Sequence, residues 1–303
     1  MRLDDEKESS YVEDRRFESG GGGRSSGGGG GLSFGTIMTL LPIARMLSKS
    51  KIGWIVMIIG GVLYFKGFNP LSLVGMGGAS KPATTHTVSQ KEEKEATFIK
   101  KVLKTTEDVW TNLLGKYGYT YKKPTLVIYR GATHSGCGKA ESQMGPFYCP
   151  NDKKVYLDLE FFDELAKRHD APGDFAQAYV LAHEVGHHVQ HLLGTLRKVH
   201  KLQQQAMNRG DKVKANHLQI PVELQADCYA GIWAHYTRNR LEPGDIEEAL
   251  NAASQIGDDT LQRKAQGRVM PDSFTHGTSA QRKEWFYKGF KSGDINSCNP
   301  FRG

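Results

Sequence analysis

Apolar positions recur at three- and four-residue steps along residues 174 to 193, DFAQAYVLAHEVGHHVQHLL, at Phe175, Ala178, Ala182, Val185, Val189 and Leu192. That period predicts a helix with one buried stripe. The stretch holds no proline, Asp174 with Gln177 three residues on suggests an N-cap, and Gly194 suggests the stop. Gly186 leaves room for another backbone to approach. A second helical pattern covers residues 91 to 115, with Phe98, Val102, Val109 and Leu113 on one side. Leu126 to Tyr129 reads as a strand. Asp152 to Asp158 holds another, after a turn at Pro150-Asn151-Asp152. Helices over residues 159 to 168 and beyond the central one complete an α+β pattern, mostly helical with a small sheet.

The first third of the chain is patterned differently. Residues 52 to 65, IGWIVMIIGGVLYF, are apolar throughout, and Phe68 extends the run past a single Lys66 near its end. That is the short limit of a transmembrane helix, with Lys66 placed to snorkel. Arg45, Lys49 and Lys51 precede it, so the positive-inside rule puts the N-terminus in the cytoplasm and the rest outside, as a single-pass membrane protein. The run starts too late for a cleaved signal peptide. Residues 34 to 51 are apolar in part but interrupted by Pro42 and Arg45, which suits a juxtamembrane segment better than a second span. Residues 1 to 33 are polar, then glycine-rich, and read as a disordered cytoplasmic tail. Residues 69 to 92 read as a linker, leaving 93 to 303 as the folded domain.

Composition adds limits. The 303 residues carry a net charge of +7, but the charges are interspersed. No basic block has aromatics interleaved, so no nucleic-acid partner is expected. Four cysteines in a chain expected outside the cytoplasm suggest disulfides, of which three pairings exist. Cys137 with Cys149 is local; Cys228 with Cys298 then ties the tail to an alanine-rich helix. No Cys-x-x-Cys spacing supports a cysteine metal site.

The chemistry sits inside the central helix. His183-Glu184-x-x-His187 places two imidazoles one turn apart on one face, where both can bind one metal ion. Glu184 lies about 100° round the helix from His183. There it can take a proton from a water on the metal without being a ligand. A catalytic zinc needs a third ligand and an open position. The metzincin continuation is excluded, because its later positions hold Gln190 and Leu193. Glu223-Leu-Gln-Ala-Asp227 instead puts two carboxylates on one helical face: Glu223 as ligand, and Asp227 to accept the outer N–H of a ligand histidine, His183. With that set complete, His188 and His191 read as ordinary helix histidines and His134 as a loop residue. Tyr148 either lines the cleft or packs.

These paired motifs resemble the gluzincin branch of zinc metallopeptidases. The strings GPFYCPNDKKVYLD, HEVGHHVQ, ELQADCYAG and HGTSAQR resemble one bacterial family, the predicted neutral zinc metallopeptidases, over roughly residues 97 to 299. The resemblance implies an anchored enzyme with a zincin-like fold and one zinc ion per chain; it supplies no substrate. Zincins present an edge strand above the metal to which an extended substrate adds, and Val155, Tyr156 and Leu157 are the candidates. Gluzincins commonly stabilise the oxyanion with a histidine or tyrosine beyond the glutamate ligand. His276 is the candidate, fixed ahead of a helix that begins at Thr278 with Gln281 completing a capping box. Arg282, one turn in, is placed to hold a carboxylate or the loop. The expected function is hydrolysis of peptide or protein substrates. The rival readings are a catalytically silent zinc module for binding or chaperoning, and a zinc hydrolase of non-peptide amides.

Overall fold

A computed structural model describes residues 1–18, 88–141, 144–168 and 171–301. Its sheet has the order β1-β2-β6-β5, built from β1 (Val12–Asp14), β2 (Thr125–Tyr129), β5 (Phe147–Cys149) and β6 (Lys154–Asp158). β1, β2 and β6 run parallel, and β5 is antiparallel to β6. β3 (Ala132–Ser135) and β4 (Gly138–Glu141) form a separate hairpin. The Cys137–Cys149 disulfide fastens that hairpin to β5.

Helices supply most of the core. α1 (Gln90–Lys116) starts from a capping box in which Ser89 and Glu92 bond each other's backbone N–H. α2 (Glu160–Arg168) follows β6. α3 (Asp174–Leu192) is the central helix, and it packs on α6 (Ile220–Tyr236). α4 (Thr195–Asn208) and α5 (Lys212–His217) connect the two. α7 (Asp245–Gln255) and α8 (Asp258–Gln266) lead to α9 (Ser279–Ser292), which lies along α6. The expected mostly helical α+β architecture is the one observed.

Two glycines let these helices touch. A Cβ on Gly186 would stand 3.0 Å from the Ala226 carbonyl oxygen, so α3 and α6 meet nearly backbone to backbone. A Cβ on Gly289 would overlap the Cys228 carbonyl oxygen, so α9 is drawn equally close to α6. The Cys228–Cys298 disulfide closes the C-terminal end onto the same helix. The cap of α3 differs from the sequence reading. Gly173, at φ 119°, is the N-cap, and Asp174 is the first helical residue. The Thr278–Gln281 capping box of α9 is as expected.

Three expectations change. The disordered tail over residues 1–33 does not hold for its first eighteen residues. Met1 and Leu3 are buried in the main core, and Leu126 N–H donates to the Tyr11 carbonyl alongside β1. Arg16 is 4% exposed, between Asp14 and Glu93. The terminal amine sits among Asp174, Glu242 and Asp245. Burying the apolar side chains is worth roughly 1.5–3 kcal/mol each, enough to hold a short strand onto a sheet that already exists.

Second, β1 and β2 share a sheet, so the folded domain does not begin at residue 93 but includes residues 1–18. The transmembrane segment expected at 52–68 lies outside the described residues, as do the juxtamembrane segment and nearly all of the linker. Among the described residues no helix is long and apolar enough to cross a membrane.

Third, Val155, Tyr156 and Leu157 are not on an edge. β6 is paired on both sides, with β2 and β5, and these residues are at most 1% exposed. The edge strand beside α3 is β5.

Candidate metal centre and catalytic cleft

One cleft of about 550 Å³ gathers the candidate residues: His183, Glu184 and His187 from α3, Glu223 from α6, His276 from the loop before α9, and Arg282 from α9. Its other wall is the edge strand β5 with Met144, Gly145 and Pro146 before it. Crossing α3 over α6 at Gly186 brings Glu223 up to the two histidines.

Three ligand atoms converge. Glu223 Oε2 is 3.2 Å from His183 Nε2 and 3.5 Å from His187 Nε2. Each of the three residues offers an atom within 4.8 Å of the others. Ligands about 2.0–2.1 Å from a tetrahedral zinc stand about 3.3 Å apart, close to the 3.2 and 3.5 Å between Glu223 Oε2 and the two imidazoles. The set of two imidazoles and one carboxylate, open to the cleft, is that of a catalytic rather than a structural zinc site.

The outer atoms of all three are held. His183 Nδ1 lies 2.8 Å from Asp227 Oδ1, and His187 Nδ1 lies 2.9 Å from Gln190 Oε1. Both acceptors take the proton of Nδ1, so Nε2 is the atom each ring turns to Glu223. Gln190 is fixed by donating to the Val222 carbonyl at 2.7 Å. Glu223 Oε1 accepts from Gln219 Nε2 at 2.8 Å.

Asp227 is fully buried and needs compensation. Arg282 Nε donates to its Oδ2 at 2.8 Å and Nη2 to its Oδ1 at 2.9 Å, while the Tyr179 hydroxyl donates to Oδ1 at 2.5 Å. Burial pushes the Asp227 carboxyl up, but the Arg282 guanidinium and the His183 imidazole outweigh it and hold the group well below its usual range. The carboxylate therefore stays ionised and keeps the His183 ring in place.

Glu184 is 8% exposed. Burial raises its carboxyl, against the pull of the His187 and His183 charges, and the Tyr148 backbone N–H donates to it. A raised carboxyl beside an open metal position is matched to taking up a proton and giving it back.

His276 lines the cleft from the loop before α9, with its side chain about half exposed. Its Nδ1 is 3.2 Å from Asp258 Oδ1, which leaves Nε2 free. Asp258 Oδ2 accepts from the backbone N–H of Thr275 and of His276, at 2.7 and 2.6 Å, and so clamps the loop. The Asp258 hydrogen bond raises the imidazole pKa, against the effect of burial.

His188 and His191 do not reach the ligand set. The His188 Nε2–H donates to the Lys122 carbonyl, so its Nδ1 accepts from the Tyr148 hydroxyl at 3.0 Å. That hydroxyl lies 3.2 Å from His191 Nδ1. Tyr148 therefore both lines the cleft and packs, fastening β5 to α3. His134 sits in the β3–β4 hairpin, away from the cleft lining.

Sequence reasoning missed Gln190, Gln219, Tyr179 and Asp258. Helical spacing carried a signal for three of them: Gln190 is three residues after His187, Gln219 four before Glu223, and Tyr179 four before His183. Asp258 carried none, since its role depends on where a distant loop returns.

The model of the family described as "Putative neutral zinc metallopeptidase" matches residues 1–301. The uncharacterised protein YpfJ of Escherichia coli K12 is 48% identical over 303 residues, covering 99% of each chain. An uncharacterised protein of Mycobacterium tuberculosis H37Rv is 43% identical over 206 residues, 64% of this chain and 66% of its own. No solved structure matches the chain.

Proposed function

The chain belongs to the neutral zinc metallopeptidase family, and from that premise we propose that it is a zinc-dependent peptidase whose ligands are His183, His187 and Glu223 and whose general base is Glu184. The observation that carries this reading is the pair of Nδ1 anchors, Asp227 and Gln190, which turn both Nε2 atoms to Glu223 beside the buried Glu184 carboxyl. A silent binding module has no use for Glu184 in that place. The test is incubation of the purified chain with defined peptides and with non-peptide amides, with products read by mass spectrometry. Cleavage of the amides alone would move the activity to another class.

One zinc ion per chain, held by that set, would supply Lewis-acid polarisation of the carbonyl and a readily ionised water. Glu184 takes the proton of the attacking water and returns it to the leaving amine. Outward-facing backbone groups of β5 are the pairing edge for an extended substrate, in place of β6. His276, aimed by Asp258, donates from Nε2 to the developing oxyanion.

That role has a sign. The Asp258 hydrogen bond raises the His276 pKa above its ordinary value, so the donating form persists to higher pH. Activity that depends on it is present at lower pH and falls as pH rises through the raised pKa. Asp258→Asn removes the main cause of the shift, so the alkaline limb of kcat should move to lower pH. His276→Ala should lower kcat by roughly 10²–10³ with zinc content unchanged. Unaltered turnover, or lost zinc, would remove His276 from the mechanism.

Attachment to a membrane through residues 52 to 68 is proposed from their hydropathy. Two disulfides support a domain outside the cytoplasm. Since β1 belongs to the domain's sheet, residues 1 to 18 would lie on the same side as the domain. A cysteine placed at the exposed Ser10 should then react with an impermeant reagent added outside intact spheroplasts. Protection of that cysteine until lysis would contradict it.

A further inference from the structure

The catalytic cleft does not end at the metal ligands. A second hollow of about 380 Å³ continues from it, sharing the wall residues Pro150, Leu196 and Gln219. Gln219 joins the two physically: it donates to Glu223 at 2.8 Å on one side and accepts from Gln203 at 3.2 Å on the other.

This extension has one sign of charge. Its ionisable lining is His191, Arg197 and His200, with no carboxylate. Burial pushes the His191 pKa down, and the nearby charges of Lys153 and Arg197 push it the same way. Lys153 is also the one residue other than glycine with a positive φ, 62°, among the described residues. Arg197, His200 and Lys153 are exposed, and none forms an ion pair among the described residues. The nearest carboxylate in sequence, Asp152, is turned away into its loop, where it accepts from the Gly136 N–H at 2.7 Å and the Tyr156 hydroxyl at 2.6 Å. His191 Nδ1–H donates to the Tyr148 hydroxyl, and its pKa is lowered, so it is not counted among the cations of this hollow.

Exposed cations on a helix are ordinary, and Lys198 and Lys201 of α4 line neither hollow. Arg197 differs from them: with His200, three residues on, it shares the face turned to the extended cleft. Uncompensated positive groups in a concave site select for negative charge.

We propose that this hollow is a substrate subsite that binds a carboxylate, and that the enzyme prefers peptides with an acidic residue near the scissile bond. The proposal rests on the peptidase reading above. His191 is one helical turn, about 6 Å, beyond His187, and an extended peptide advances about 3.3–3.6 Å per residue. The acidic residue therefore falls about two to four residues from the bond that is cut. Arg197 and His200 are specificity residues, not part of the catalytic machinery.

The test uses paired peptides that differ only by glutamate or glutamine at each position within four residues of the cleavage point. The wild-type chain should turn over the best glutamate peptide about tenfold faster in kcat/KM than its glutamine partner, and the ratio should shrink with added salt. In Arg197→Ala/His200→Ala the ratio should fall to about one while the glutamine peptide is cut as before. Arg197→Glu should invert the preference toward lysine. Each peptide is also made as the C-terminal acid and amide. A preference that follows the side chain assigns the subsite to an acidic residue; one that follows the free terminus assigns it to the chain end. A ratio near one in the wild type, or one unchanged in the double variant, overturns the subsite. If no peptide is cleaved, the peptidase reading fails separately. Anisotropy of the labelled peptides on the Glu184→Gln chain then still decides: tighter binding of the glutamate peptide, lost with Arg197 and His200, supports the subsite, and equal binding overturns it.

Discussion

Purified chain carrying both His187→Ala and Glu223→Ala should hold no zinc, where the parent holds about one ion per chain. Glu223 Oε2 faces both imidazole nitrogens at 3.2 and 3.5 Å, so removing it with His187 leaves a single protein ligand, His183. One imidazole does not retain the ion against dialysis. Catalysis should disappear with it, because polarisation of the carbonyl and activation of the water are lost together. The neighbours of Glu223 bear on the choice of variant. Gln219 loses its acceptor, but it lies near the open cleft, where water can replace the carboxylate. Asp227 keeps Arg282 and Tyr179, so the network beneath His183 stays satisfied and the fold should survive. Elemental analysis beside a circular dichroism spectrum separates metal loss from unfolding. Full zinc occupancy in the folded double variant would place the site elsewhere.

Replacement of Glu184 by glutamine should give the opposite pattern: zinc retained, turnover lowered by roughly 10²–10⁴. The side chain has nearly the same shape and still accepts from the Tyr148 backbone N–H through its carbonyl oxygen. What it cannot do is take up a proton. The loss should fall on kcat with KM little changed, since Glu184 is asked to act on the water rather than to hold the substrate. Equal zinc content with unchanged kcat would show that another group is the base.

The centre of this protein was legible because a helix makes sequence spacing into geometry. His183 and His187 are four apart and so share a face; Glu223 and Asp227 repeat the device on a second helix. The crossing of those helices was foreshadowed by Gly186, whose missing side chain the Ala226 backbone fills. Arg282 was expected to hold a carboxylate or the loop, and it holds the carboxylate of Asp227.

Two other features were not legible, each for a physical reason. Strand order in a sheet is a long-range property. A run such as Val155-Tyr156-Leu157 reads the same whether one or both of its sides are paired, and here both are. Residues 1 to 18 failed differently. Their buried members, Met1, Leu3, Ser9 and Arg16, follow no helical or strand period, and most of the segment is polar. Such a segment cannot fold alone, and its composition is that of a disordered tail. It is ordered because a preformed sheet edge, a core hollow and partners such as Glu93 wait for it.

The central claim is that this chain cuts peptide bonds with Glu184 beside a zinc held by α3 and α6. The most direct measurement is mass spectrometry of a proteome-derived peptide mixture incubated with the parent chain or with Glu184→Gln, both loaded with zinc. New peptide termini present with the parent and absent with the variant are the predicted result. Identical peptide pools, or new termini produced equally by both, would contradict the account.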